Sequence, residues 1–334
     1  MTAPGRTVVL GGTGYLGSEV VAALAAATPG TPGAAPRQVV TVGRRATTST
    51  RPPGSPGAAH VQAISRDLSV PGAAADLVAG ADVVIHLVAP SGPTTTWRTA
   101  GDGAELALLA EVLEATATRS GEHGRVPPLV MLASTVPPAS AAGQPAHAPS
   151  DHERRKQALE ELLAEAATQG RVRSATLRLS TVYGVGAGGP GRGVVASMAR
   201  QAVRGRPLTV WHGADVRRNL VHVRDAATAF VRAARCGGAQ PTAPVWSVGG
   251  PDQLSVRELA ELVAVEAADV SGVLVPVESV PAPDWAVPAD FLDVVVDREP
   301  FERATGWRPA ATLRAGVRDL VSYIQTAERR RSDR

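Results

Sequence analysis

Lysine is all but absent from this chain: of 34 Lys plus Arg residues among 334, the sole lysine is Lys156. Where a generic positive charge suffices, the sequence uses arginine. A lone lysine therefore stands out as a compact, rotatable ammonium whose pKa its surroundings can move. Cysteine is nearly missing too, since only Cys236 is present, which excludes an intrachain disulfide and a cysteine-rich metal site. Aromatics make up 3% of the chain, so a core has to come from Ala, Val and Leu; at 44% hydrophobic content there is enough for one. No apolar run approaches the roughly 20 residues of a membrane-spanning helix. The segment Thr7-Val8-Val9-Leu10-Gly11-Gly12 begins so early that a signal peptide has no room, and the expectation is a cytoplasmic protein. No basic segment is interleaved with aromatics, and the net charge is +3. Arg329-Arg330-Arg331 reads as a solvated helix end. This disfavours nucleic acid and suits small anionic ligands such as phosphates.

What the chain does have is alternation. Val-rich runs at 7–10, 38–42, 83–88, 129–133 and 174–179 are interleaved with Ala/Leu-rich helical stretches at 14–27, 105–118 and 151–168. Continuous apolar strands separated by helices predict a parallel sheet buried on both faces, the doubly wound α/β (Rossmann) class. Pro/Gly/Ser/Thr-rich stretches at 28–36 and 47–58 read as surface loops. Past residue 180 the alternation loosens around the glycine-rich stretch 184–193. Residues 217–224 and 245–250 read as strands able to return to the sheet edge. The expected division is a dinucleotide-binding domain over 1–180, with parts of 217–250 returning to it. A smaller C-terminal α/β substrate lobe would span 181–216 and 251–334, with Trp307 packing within it.

The turn Gly11-Gly12-Thr13-Gly14-Tyr15-Leu16-Gly17 follows the first strand and opens a helix. It satisfies G-x-G-x-x-G through Gly12, Gly14 and Gly17. Such glycines allow a tight turn, close approach of backbone to a pyrophosphate, and tight helix–sheet packing, while the helix N-terminus attracts the anion. The second strand normally ends in an acid that binds the adenosine ribose of NAD; here it ends in Arg44-Arg45. Two guanidiniums suit the 2′-phosphate of NADP. The competing reading is that arginine merely caps a loop. Asp67-Leu68 stands where such folds contact the adenine, although an ordinary turn aspartate would look the same.

Leu132-Ala133-Ser134-Thr135 closes a buried strand and sets hydroxyls at the carboxyl edge of the sheet. Eighteen positions after Ser134 comes His152, and four later Lys156. Residues i and i+4 share a helix face, so both side chains can point into the cleft that Ser134 borders.

With these residues the chain resembles the extended short-chain dehydrogenase/reductase family, especially its nucleotide-sugar branch. The resemblance runs nearly the whole length, through Gly11–Gly17, residues 81–89 (Ala-Asp-Val-Val-Ile-His-Leu-Val-Ala), Ser134-Thr135 and residues 179–184 (Leu-Ser-Thr-Val-Tyr-Gly). It continues through residues 206–211 (Arg-Pro-Leu-Thr-Val-Trp), 218–223 (Arg-Asn-Leu-Val-His-Val) and 306–309 (Gly-Trp-Arg-Pro). Residues 191–223 look most like reductases of thymidine-diphospho-4-keto-6-deoxyhexoses in actinobacterial deoxysugar pathways.

The resemblance implies that Gly11–Gly17, Leu87 and Val88 line a nicotinamide cofactor. It implies that Lys156 holds the nicotinamide ribose and that Ser134 and Thr135 bind the substrate carbonyl. Arg218 would bind the diphosphate, with Arg192, Trp211 and Pro90 as further substrate contacts. The family's catalytic helix carries Tyr-x-x-x-Lys, and here His152 stands in the tyrosine position. An imidazolium, with an ordinary pKa near 6.5, can protonate an alkoxide near neutral pH, although a neighbouring ammonium works against its charged form. Tyr183 is a distant second donor. His86, His212 and His222 are not spaced like a metal site and read as packing or polar-network residues.

The expected activity is NADPH-dependent reduction of the C4 ketone of a dTDP-4-keto-6-deoxyhexose, with a dTDP-sugar as partner, no nucleic acid or membrane, and a homodimer kept open. A 4,6-dehydratase needs an acid–base pair after the Ser/Thr position, where this chain has Val136-Pro137. An epimerase usually retains NAD, against Arg44-Arg45. The alternative from another class is a catalytically silent NADP-binding sensor, for which the missing tyrosine is the best support.

Overall fold

The computed structural model describes residues 5–26, 38–44, 60–89, 103–117, 126–138, 148–213, 215–236 and 243–332. Arg45, Pro90 and the expected loops at 28–36 and 47–58 lie outside these residues. The first part runs β1 (Arg6–Leu10), α1 (Tyr15–Ala26), β2 (Gln38–Gly43), β3 (His60–Ser65), α2 (Ala75–Val78), β4 (Val83–His86), α3 (Gly103–Ala117), β5 (Leu129–Thr135), α4 (Asp151–Thr168) and β6 (Arg173–Leu179). There follow β7 (Thr181–Tyr183), β8 (Val185–Gly186), β9 (Gly189–Pro190), α5 (Val194–Val203), β10 (Leu208–Trp211), β11 (Arg217–His222), α6 (Val223–Cys236) and β12 (Val245–Val248). The last part contains β13 (Gln253–Ser255), α7 (Val256–Ser271), β14 (Val277–Val280), a 3-10 turn Pro288–Phe291, α8 (Glu299–Thr305) and α9 (Leu313–Ser332).

The main sheet has seven strands in the order β12-β6-β5-β4-β1-β2-β3, and every neighbouring pair is parallel. This is the doubly wound arrangement expected from the alternation. Period-2 side chains sort its strands onto two faces. Val9, Val39, Ile85, Met131 and Leu177 join one core with Val20 and Val21 of α1 and Phe230 of α6. Val8, Val40, Val84, Val130 and Leu132 join the other with Leu109 of α3 and Leu159 of α4. Strand order reverses between β1 and β4, and ligands of open α/β sheets bind outside the carboxyl ends of the strands at such a switch point.

Three sequence expectations need correction. Residues 217–224 do not return to the main sheet: β11 pairs with β7 and β13 in a separate three-stranded sheet, and from Val223 the chain is helical. The strand that does return is β12, beside β6. Trp307 is not a small-lobe residue in packing terms. It sits 2% exposed in the main-sheet core, 5.3 Å from the Phe301 ring, and its indole donates to Asp225 O at 3.2 Å and Thr228 Oγ1 at 3.0 Å. Finally, β3 was not foreseen, because His60–Ser65 is a half-exposed edge strand that lacks the continuous apolar run of the central ones.

The third core joins α5, α7, α9 and β10 through Met198, Leu208, Val263, Val317 and Leu320.

Candidate active site

Gly11 leaves β1 at φ +79°, a left-handed conformation that a side chain would strain. Its N–H and that of Gly12 both donate to Val42 O, at 2.9 and 3.0 Å, tying the turn to β2. A Cβ at Gly17 would overlap Gly11 O, so α1 can start against the turn only without one. The first-turn amides of α1 have no acceptor within the helix, and with the helix dipole they suit an anion. Thr13 packs on Gly43 at the tip of β2. Tyr15 turns the other way: its ring lies against Gly186 and Gly191, and its hydroxyl donates to Gly184 O at 2.8 Å. Leu16 packs on the core beneath the sheet. In this stretch the backbone faces the crevice while the larger side chains brace the turn.

Leu87 and Val88 cross directly over Gly11, whose Cβ would stand 2.9 Å from Leu87 O and 3.1 Å from Val88 N. At the tip of β2, Arg44 is exposed, and its carbonyl accepts from Ser65 Oγ at 3.1 Å. The Asp67 carboxylate accepts from Ser69 N at 3.0 Å and Ser69 Oγ at 2.7 Å, and these bonds hold it below the usual carboxylate range. Leu68 is buried in the core. Asp67 therefore shapes its own turn, and Leu68 offers the crevice no side chain.

α4 is started by Ser150, whose hydroxyl accepts from Glu153 N while the Glu153 carboxylate accepts from Ser150 N. This cap puts half-buried His152 in the first turn and Lys156 one turn further on. Lys156 Nζ lies 2.6 Å from Glu105 Oε1 of α3 and 3.4 Å from Ala133 O of β5. The two side chains are 13% and 3% exposed, so this is an interior ion pair. The hydroxyls of Ser134 and Thr135 are separated by the strand's alternation. Ser134 Oγ donates to Glu160 Oε1 at 2.5 Å, and Arg178 binds the same carboxylate through Nη2 at 2.6 Å. Thr135 points to the other face of β5. His86, ending β4, is 1% exposed, and neither ring nitrogen has a hydrogen-bond partner among the described residues. Burial, and next the Lys156 charge, pull its imidazole down to about 3.

On the lobe side, Arg218 donates to Arg217 O at 3.0 Å, Leu292 O at 2.5 Å and Asp290 O at 2.6 Å. Those carbonyls clamp the 290–292 segment onto β11. The same segment reaches Trp211, whose ring meets Trp285 at 5.1 Å and Phe291 at 6.3 Å. Arg218 and Trp211 are thus brought to one place. Arg192 is exposed on the loop before α5. Tyr183 is buried, with its hydroxyl donating to Thr312 O at 3.4 Å and its ring edge-on to His222 at 5.4 Å. It faces α9 and shapes the loop.

The model of the NAD dependent epimerase/dehydratase family matches residues 7–249. The chain belongs to that family. A relative in Kitasatospora kifunensis, dTDP-6-deoxy-L-talose 4-dehydrogenase (NAD(P)(+)), is 30% identical over 98% of both chains. Among solved structures, MoeE5 in complex with UDP-glucuronic acid and NAD has a TM-score of 0.73 at 21% identity, covering 97% of this chain and 100% of that one. RMD from Pseudomonas aeruginosa complexed with NADPH gives 0.69 at 22% identity, covering 96% and 99%. Both show the same extended fold.

Within this epimerase/dehydratase frame, three residues of the site were missed in the sequence. Glu105 had a signal, since it heads a stripe of buried positions at 105, 108, 109, 112, 113 and 116 on α3, where a carboxylate is out of place. Trp285 and Phe291 had none beyond being aromatic in an aromatic-poor chain.

Proposed function

We propose that the chain is an NADPH-dependent 4-ketoreductase of a dTDP-4-keto-6-deoxyhexose. The observation that carries this reading is the lone lysine held at the carboxyl end of β5, one turn after His152, beside the switch point where the glycine turn lies. The backbone cradle at Gly11 and Gly17, which a Cβ would fill, suits a pyrophosphate. When bound, the nicotinamide supplies the hydride that goes to the sugar C4. Lys156 holds the ribose hydroxyls, Thr135 orients the C4 oxygen, and Ser134 contributes through its bond to Glu160. His152 donates a proton to that oxygen as charge develops on it. Arg218, fixed by three carbonyls, meets the diphosphate beside the Trp211 cluster. Arg44 at the tip of β2, with no acid there, favours the 2′-phosphate of NADP. The name of the Kitasatospora relative, a 4-dehydrogenase of a dTDP-6-deoxysugar, supports the same position and substrate class.

The test is NADPH oxidation followed at the nicotinamide absorbance with a panel of dTDP-4-ketosugars. Turnover with at least one of them is expected. Tight NADPH binding with no turnover on any ketosugar would instead support the silent sensor, a reading favoured by histidine at the family's tyrosine position. Interconversion of sugar epimers without net NADPH consumption would point to an epimerase.

A further inference from the structure

Lys156 is largely enclosed, its side chain 13% exposed, and the groups facing it among the described residues can be named element by element. Glu105 of α3 touches its ammonium at 2.6 Å. His86 of β4 is neutral and buried within reach of its charge. β5 contributes the Ala133 carbonyl at 3.4 Å. On α4 itself, His152 precedes it by one turn and Glu160 follows by one. Glu160 is already occupied by Arg178 and Ser134. Glu105 is therefore the carboxylate that balances the ammonium directly. An ammonium this enclosed, without such a partner, swings toward water.

We propose that Glu105 is the positioning residue for Lys156: its carboxylate holds the ammonium aimed across the end of β5, where the proposed function puts the cofactor ribose. This rests on the ketoreductase reading for the consequence to turnover, but not for the effect on the lysine. Glu105 reaches α4 from a helix 51 positions earlier in the chain, and the Ala133 carbonyl reaches the ammonium from β5. Two anchors from different elements fix Nζ in a way that a ribose hydroxyl alone would not.

Because the chain has one lysine, labelling with lysine carrying ¹⁵N at Nζ gives a single side-chain signal. In Glu105→Gln that signal should move and broaden as Nζ loses its fixed partner, and NADPH should bind about tenfold more weakly. Glu105→Asp, which keeps the charge, should stay nearer the parent in both. Lys156→Ala should abolish turnover and weaken NADPH binding, and the double variant Glu105→Gln/Lys156→Ala should be no worse than Lys156→Ala alone. A parent-like Nζ signal in Glu105→Gln overturns the proposal, as do losses that multiply in the double variant. The Nζ signal needs no sugar, so failure of every ketosugar to react would count against the proposed function and leave this result standing.

Discussion

In the proposed ketoreduction a proton has to reach the sugar oxygen, and His152 is the side chain proposed to donate it. The buried Tyr183 hydroxyl is turned toward Thr312, and burial raises its pKa further from neutrality. Ser134 is bonded to Glu160. Of the side chains the sequence reading considered as proton donors, His152 is the one on the Lys156 face of α4. His152→Phe should lower kcat by about 10²-fold or more with little change in NADPH affinity, as for loss of a general acid. His152→Tyr should retain or raise it, since tyrosine is what the resemblance places there. An undiminished kcat in the Phe variant, measured at saturating ketosugar, would mean that water supplies the proton. At this scale the sequence made Lys156, His152 and the glycines legible, since their meaning lies in spacing along one element. Glu105 was not legible as Lys156's partner, because that contact depends on how α3 and α4 dock.

Elements carry the geometry that single residues use. α1 begins where it does because Gly17 lets its first turn close on Gly11 O. Gly17→Ala inserts a methyl against backbone, which cannot yield as a flexible side chain would. Such overpacking costs about 1–3 kcal/mol, and here the displaced part is the anion-binding turn itself. The expected outcome is a folded protein with a lowered urea midpoint and NADPH affinity reduced at least about tenfold; parent-like binding in a fluorescence titration would contradict it. The central strands were readable from their apolar runs, yet the stretch 83–88 is a strand only to His86. Beyond it the backbone is drawn over Gly11, and the ladder stops where the crevice opens. Residues 217–224 misled because β11 is indeed a strand, and a pattern over so few residues does not tell which sheet it joins or that the chain turns helical at Val223.

For the whole molecule, the consequence of burying a sheet on both faces is that anything polar at its centre must be kept uncharged. His86 closes β4, between β1 and β5, and its imidazole has no hydrogen-bond partner among the described residues. Its pKa is about 3 in the folded protein, against about 6.5 for a free histidine. Between those values the unfolded chain binds a proton that the folded chain does not. Stability therefore rises with pH through this window and is lost as pH falls below 6.5. At about 1.4 kcal/mol per pH unit, His86 alone should make the protein about 2 kcal/mol less stable at pH 5 than at pH 7.5. His86→Leu removes the titration and the two unpartnered nitrogens together, so at pH 7.5 it should be neutral or stabilising. Urea unfolding of parent and variant at the two pH values isolates the effect, because the other titrating groups are common to both. The parent should lose about 2 kcal/mol more than the variant on going to pH 5. Equal losses would mean that the buried ring finds a proton or a partner in the folded state, and that the centre of the sheet is less dry than its packing implies.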